Sequence, residues 1–344
     1  MFHGKTPGVG IALHASALEM AYVPGGKTGT LNSAQVVRIP LSPEVYDNGV
    51  IKDADRFASR VTQTFRQLGW PRRPVTLALP ASATVIRPLM VPKMKKPKLA
   101  PVIQYQIGKA ITLPFSNAVF DVDYLPDALE VVGEKIFHGK NTETVPVLFV
   151  AAAGDLIQGL KQAFERAELG LSAIEVKGIS ILRALRALHQ LPVRPTLLLE
   201  FGVDRVDVHY YQAGALLFTR TLDLTPEKYG VEGGDWAQLA SQELADKLDR
   251  MSADLAHQLE RLLTFIQHML HPRHREDIQE LWMTGVVPAP ERVQFMLQRR
   301  WETLDICHVT LSVSCLTTTE AGGSERCSLS VIGTALDGGT EDAN

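Results

Sequence analysis

Short apolar runs separated by turn residues open the chain, and their spacing predicts strands before helices. Residues 9–13 form a small apolar strand, a tight turn at 14–17 leads into a second at 18–23, and Pro24-Gly25-Gly26 turns toward a third at 34–39. Residues 53–68 change period: Phe57, Val61, Phe65 and Leu68 recur at helical spacing, with Asp53 placed to cap. A buried strand at 75–79 ends at Pro80. The same order returns half a chain later. Strands at 196–201, 206–211 and 216–222, joined by turns at 202–205 and at Ala213-Gly214, precede a helix from about Trp236.

Between the two sets, residues 82–145 break the pattern. They read as a strand at 84–91, a helix at 99–111 and a strand at 118–124, with 130–137 able to pair beside it. A polar loop at 139–144 closes the insertion. A strand at 147–151, helix at 155–168, strand at 173–176 and helix at 179–190 follow, and Pro192 and Pro195 mark a hinge. Further on, Leu244, Leu248, Met251, Leu255, Leu259, Leu262, Ile266 and Met269 stand three and four apart. They predict one long amphipathic helix, or two jointed near Ser252, facing a core rather than a coiled-coil partner. Three meandering strands and a helix, met twice, resemble the ribonuclease-H-like unit of actin-type folds. The expected fold is therefore α/β and two-lobed, actin-like, with a small α/β subdomain inserted in the first lobe. Residues 1–190 would form the first lobe, with the insertion at about 82–145. Residues 191–344 would form the second, with its helical part at about 233–275.

Composition narrows the functional classes. The 344 residues are 45% hydrophobic and 21% charged, which is globular. A formal charge of −3 supplies no basic field for nucleic acid. No apolar run reaches the roughly 20 residues needed to span a bilayer, and residues 1–10 carry no signal-peptide core. A cytosolic location is expected. The three cysteines, Cys307, Cys315 and Cys327, lack metal spacing, and Cys307 and Cys315 alternate with polar residues as inward positions of a strand.

Several stretches in order resemble the PilM family of type IV pilus assembly, within the actin-like group that includes FtsA. Ala78-Leu79-Pro80-Ala81-Ser82 followed by Val85-Ile86-Arg87-Pro88-Leu89 is one. Gln104-Tyr105, Leu113-Pro114-Phe115 and Asp121-Val122-Asp123-Tyr124 match the inserted subdomain. Leu169-Gly170-Leu171, Phe218-Thr219-Arg220, Leu259-Glu260-Arg261-Leu262 and Val331-Ile332-Gly333-Thr334 extend the likeness over essentially the whole chain.

That resemblance implies a nucleotide cleft between the lobes, where glycines let backbone N–H groups approach phosphate and acids position Mg²⁺. The first hairpin here reads Gly10-Ile11-Ala12-Leu13-His14: Ala12 replaces the carboxylate, His14 the second glycine, and Glu19 stands where a basic residue is usual. The second keeps Glu200 and Gly202 but continues Val203-Asp204-Arg205. Gly233 and Gly234 match the family's glycine pair, and the adenosine-side pair survives as Thr284-Gly285-Val286. Glu200, Gly202, Gly233, Gly234 and Gly285 are the residues a retained ATP and Mg²⁺ would use. With so many phosphate contacts replaced, no cofactor, no hydrolysis and no small-molecule substrate are expected. His268, His271 and His274 recur three apart, but at a helix end without carboxylates, which suits a solvated terminus rather than a metal site.

The family resemblance further implies a protein partner: the N-terminal cytosolic peptide of a PilN-like membrane protein, and through it a PilO-like one, at the inner-membrane pilus platform. Its groove would lie between the first lobe and the insertion, with Ile103, Ile107, Ile111 and Leu113 as candidate lining, half of that stripe being needed for the core. Lys93, Lys95, Lys96 and Lys98 give four lysines in six residues, read as a solvated loop or as a face for anionic headgroups. Two rivals share the fold. A nucleotide-switched ATP-binding protein needs the missing phosphate contacts, and an FtsA-like division protein needs a C-terminal amphipathic helix where 337–344 is short and acidic.

Overall fold

The structure is a computed structural model that describes residues 8–24, 34–47, 49–126, 134–136, 143–202, 205–231, 236–270, 278–311, 316–317 and 327–336. Gly233 and Gly234, Cys315, His271 and His274 lie outside the described residues.

Strands β1 (Val9–Leu13), β2 (Ala17–Tyr22) and β3 (Gln35–Pro40) form the expected antiparallel meander. A small hairpin, β4 (Tyr46–Asp47) and β5 (Val50–Ile51), leads into α1 (Ala54–Leu68). Asp53 caps this helix, its Oδ1 accepting from the Arg56 amide at 2.9 Å, and Gly69 ends it at φ 64. Strand β6 (Val75–Leu79) returns parallel to β1.

The insertion begins with β7 (Thr84–Pro92), α2 (Leu99–Gln106), β8 (Ala118–Tyr124) and β9 (Glu134–Lys135). It continues through β10 (Thr144–Ala153), which pairs antiparallel with both β7 and β8; the sheet order is β8-β10-β7-β9. Residues 147–151, read from the sequence with the first lobe, are thus the middle of the inserted sheet. The reason is two-sided burial. Val147, Phe149 and Ala151 pack with Leu89, Val91, Ile103 and Ile111 beneath α2, whereas Leu148 packs on the core of the second lobe and, with Val150, on the cluster around the helix at 177–187. Helix α2 stops at Gln106 instead of reaching 111, because Gly108 at φ 80 turns the chain and Ile107 bridges back to Ile111. Strand β9 pairs with β7, so the residues of 130–137 that are described lie across the sheet from β8.

Helix α3 (Gly154–Arg166) packs on α1, with the Phe57 and Phe164 rings edge to face at 5.8 Å. Strand β11 (Leu171–Val176) joins β6 in parallel, and α4 (Lys177–Ala187) follows. The second meander, β12 (Thr196–Phe201), β13 (Val206–Gln212) and β14 (Ala215–Leu222), repeats the first. Helix α5 (Ala245–Leu270) is one continuous helix with Leu248, Met251, Leu255, Leu259, Leu262 and Ile266 in the core; Ser252 does not joint it, donating instead to the Leu248 carbonyl at 2.9 Å. Strand β15 (Glu280–Gly285), α6 (Pro290–Gln298) and β16 (Asp305–His308) complete a sheet ordered β14-β13-β12-β15-β16. The last segments cross back. Strand β17 (Leu316–Thr317) pairs with β3, and α7 (Leu329–Ala335) packs on β1 and α4.

Cys307 is half-buried and Cys327 buried. Burial, with Asp305 and Glu280 adding to it, pushes the Cys307 thiol up to about 11, so it stays protonated as a packing residue. Among the described residues no helix is long and apolar enough to cross a membrane.

Candidate functional site

Two places collect the sequence-predicted residues: the cleft between the lobes and the groove beside the insertion. The cleft is built by the β1–β2 turn, the start of α4, the β12–β13 turn and the start of α7. His14 closes the first turn, its amide donating to the Ala17 carbonyl at 2.8 Å. Its side chain is 2% exposed and turned inward, with Nδ1 3.2 Å from Lys177 Nζ and Nε2 3.5 Å from Glu19 Oε2. Lys177, 3% exposed, holds its ammonium 3.4 Å from Asp207 Oδ2 and 3.7 Å from Glu200 Oε2. Glu19 accepts from Arg38 at 3.2 Å and from the Ser328 hydroxyl. Glu200 Oε1 accepts the Ser330 amide at 3.1 Å, tying β12 to α7.

Charge balance explains why Glu19 and Asp207 stay ionised. Burial alone would raise the Glu19 carboxyl. The His14 hydrogen bond, the Arg38 charge and the Ser328 donor outweigh it and hold Glu19 well below the usual carboxylate range. Asp207 follows the same logic: burial opposes, while the Lys177 ammonium and the Thr221 hydroxyl at 2.5 Å bring it below its ordinary value.

His209 runs the other way. Burial lowers its pKa and outweighs Glu200 and Asp207, so the imidazole is neutral, Nδ1 sharing a proton with Thr219 Oγ1 at 2.9 Å. Because its folded pKa lies below the unfolded value of about 6.5, the unfolded chain takes up that proton first. This contribution is complete above pH 6.5 and declines as pH falls, by about 1.4 kcal/mol per unit at most. Urea midpoints measured from pH 8 to pH 5 should therefore drop, and His209→Gln should flatten the part of that slope below pH 6.5. An unchanged slope in the variant would remove His209 as its source.

Three glycines matched to the nucleotide pattern have packing reasons of their own. A Cβ at Gly10 would sit well under 3.0 Å from Thr334 Oγ1 and the Ala335 amide nitrogen, where α7 crosses β1. At Gly285, φ 84 and the Phe201 carbonyl both exclude a side chain. At Gly202 a Cβ would meet His14 Nδ1 at 2.9 Å, so the imidazole lies against the second turn. Among the described residues, a pocket of about 10 Å³, room for one water, is lined by His14, Lys177, Arg205 and Asp207.

The groove is far larger, about 870 Å³. Gln104 of α2, Ile107 just past its end, and Asn117, Ala118 and Val119 at the start of β8 form one wall; Gly154, Ile157, Gln158 and Lys161 of α3 form the other. Gly154 permits the walls to meet at their base, donating to the Asn117 carbonyl at 2.6 Å where a Cβ would collide with that oxygen. Strand β8 is an edge of its sheet, so it keeps unpaired backbone groups. Of the four isoleucine and leucine candidates, Ile107 lines this groove. Ile103 and Ile111 are 0% exposed in the insertion core, and Leu113 is half-buried against it.

Reading the sequence missed Lys177, Asp207, His209, Ser328 and Ser330 in the cleft, and Val119, Gly154 and Ile157 in the groove. A charged residue directly after an apolar strand, as in Val176-Lys177, is the one local signal that pointed to the cleft. Among the described residues no group of three His, Cys, Asp or Glu side chains is arranged to hold a metal ion.

The family model for type IV pilus assembly protein PilM matches residues 10–232, well over half of the chain. A solved PilM-PilN type IV pilus biogenesis complex superposes with a TM-score of 0.68 at 18% identity, covering 96% of this chain and 98% of that one. That likeness establishes the two-lobed actin-like fold. A protein of actin-like ATPase fold and unknown function from Bacteroides thetaiotaomicron (TM-score 0.47, 10% identity, 89% and 91% covered) is too distant to bear on function. So is the cytoplasmic domain of EpsL, an inner-membrane component of the type II secretion system of Vibrio cholerae (0.44, 10%, 95% and 93%). A search of curated proteins finds no match.

Proposed function

Because this chain belongs to the family of type IV pilus assembly protein PilM, we propose that it is a non-catalytic cytosolic scaffold of the pilus platform at the inner membrane, gripping the N-terminal cytosolic peptide of a PilN-like membrane protein and through it a PilO-like partner. The groove carries this reading. Its volume suits an extended segment of several residues, Ile107, Val119 and Ile157 offer apolar pockets, and Gln104, Asn117 and Gln158 offer amides to a peptide backbone.

The cleft supports the non-catalytic half. The residues present are poorly suited to a magnesium triphosphate: the His14 ring lies on the side of Gly202, and the Lys177 ammonium stands between Glu200 and Asp207, where a metal would need open carboxylate oxygens.

Calorimetry with a synthetic peptide of the PilN-like tail tests the reading. Wild type should bind it with one-to-one stoichiometry. Ile107→Glu should weaken binding by roughly 2 kcal/mol or more, as for a central apolar anchor, without lowering the melting temperature much. Saturable Mg²⁺-dependent ATP binding in the same instrument would overturn the non-catalytic half, and undiminished peptide binding by Ile107→Glu would overturn the groove.

A further inference from the structure

Helix α2 has three faces, and only two have work assigned to them. Leu99 and Ile103 enter the insertion core, and Gln104 and Ile107 reach the groove. The third face carries Lys98, Val102 and Tyr105, spaced four and three apart and therefore in line. Tyr105 is 67% exposed, and Lys109 stacks on it with Nζ 3.2 Å from the ring centroid. Lys95 stands three residues before Lys98, in extended backbone ahead of the helix.

The lysines divide into two kinds. Lys93 pairs with Glu143 at 3.3 Å and Lys96 with Asp123 at 2.7 Å. Lys95, Lys98 and Lys109 are exposed and have no ion-pair partner among the described residues. Three exposed ammonium groups without an ion-pair partner, one of them stacked on a solvent-facing tyrosine, serve no pairing within the described fold. Flexible lysine stems with an amphipathic ring suit the boundary between anionic headgroups and acyl chains.

We propose that this face of the insertion docks on an anionic membrane surface, with Lys95, Lys98 and Lys109 against headgroup phosphates and Tyr105 at the boundary. Each lysine near such a surface contributes about five-fold in partitioning, so three together give roughly a hundred-fold. That is weak for a sole anchor and well matched to a second contact added to a peptide tether. The groove opens on the adjacent side of the same helix, so a tail leaving the bilayer has a short path into it; this last step rests on the peptide-groove reading, whereas the lipid contact itself does not.

Cosedimentation of the full chain with vesicles tests the proposal without the peptide. Wild type should sediment with 30% phosphatidylglycerol vesicles at 0.1 M salt, stay in solution with pure phosphatidylcholine, and be released at 0.5 M salt. The combined Lys95→Glu, Lys98→Glu and Lys109→Glu variant, checked for unchanged circular dichroism, should lose at least about a hundred-fold of that partitioning. Tyr105→Ser should lose several-fold, and Lys93→Gln with Lys96→Gln should lose less than the triple variant. Ile107→Glu should sediment as wild type does, which separates failure of the groove from failure of this face. Absence of wild-type sedimentation, the result for a solvated loop or a face meant for an acidic protein, overturns the proposal. Retained sedimentation by the triple variant does so equally.

Discussion

Lys177→Met is expected to lower the free energy of unfolding by about 3–5 kcal/mol at pH 7, the cost of leaving a buried charge without its partner. Methionine has nearly the length and volume of the lysine stem, so packing changes little and the loss reports the ammonium. Without it, Asp207 at 4% exposure and Glu200 at 0% face each other across a space with no cation. In the wild type Lys177 is the leading group holding the Asp207 carboxyl below its ordinary value. A depressed folded pKa gives stability that is present above the unfolded value of about 3.8 and lost as pH falls through the folded one. Removing the ammonium takes away the leading opponent of burial and leaves chiefly the Thr221 hydroxyl, so in the variant the Asp207 pKa rises and protonation relieves the buried charge. The gap between variant and wild type, read from urea midpoints, should therefore narrow from pH 7 to pH 5. Adding Asp207→Leu should recover part of the loss. A deficit below about 1 kcal/mol at pH 7 would mean that water or an ion reaches the carboxylates, and with it that the cleft is open.

The cluster around Lys177 also marks where reading the chain stopped working. Local pattern was enough for α1, whose cap, apolar stripe and terminal glycine all lie within residues 53–69. It was enough for α5, where six core residues keep helical spacing without interruption. Both meanders were legible because each strand pairs with its neighbour in sequence. By contrast, Lys177 meets His14 across 163 positions and Asp207 across 30, and no periodicity encodes a partner at that range. Strand β10 was visible as a strand, but its place in the inserted sheet depends on two partners that precede it by dozens of residues. The isoleucine stripe from 103 to 111 looked like one helix face; Gly108 at φ 80 splits it, sending Ile103 and Ile111 inward and leaving Ile107 at the groove. Glycines were the subtlest case. Gly10, Gly202 and Gly285 matched a phosphate-binding pattern, yet what they touch is a helix, a side chain and a strand carbonyl that arrive from elsewhere in the chain.

Gly10→Ala makes that difference measurable. If Gly10 served only to let a backbone amide approach phosphate, a methyl group there would spare the fold. Here the methyl would fall on Thr334 Oγ1 and on the backbone of Thr334 and Ala335. Helix α7 cannot retreat freely, because on its other side Gly333 lies so close to α4 that a Cβ would overlap the Ser180 carbonyl. It is further held by the Ser330 amide on Glu200 and the Ser328 hydroxyl on Glu19. Backbone on both sides leaves no side-chain rotamer to absorb the methyl, so the cost should exceed the usual 1–3 kcal/mol of overpacking. Gly202→Ala is the matched control. Its methyl would meet the His14 ring at 2.9 Å and the Arg205 carbonyl at 3.2 Å, so the closest atom belongs to a side chain rather than to backbone. Its cost should stay near 1–2 kcal/mol. Chemical denaturation of the two variants should rank Gly10→Ala far below Gly202→Ala. The reverse order, or a Gly10→Ala protein as stable as wild type, would detach this glycine from α7 and return it to a ligand-binding role.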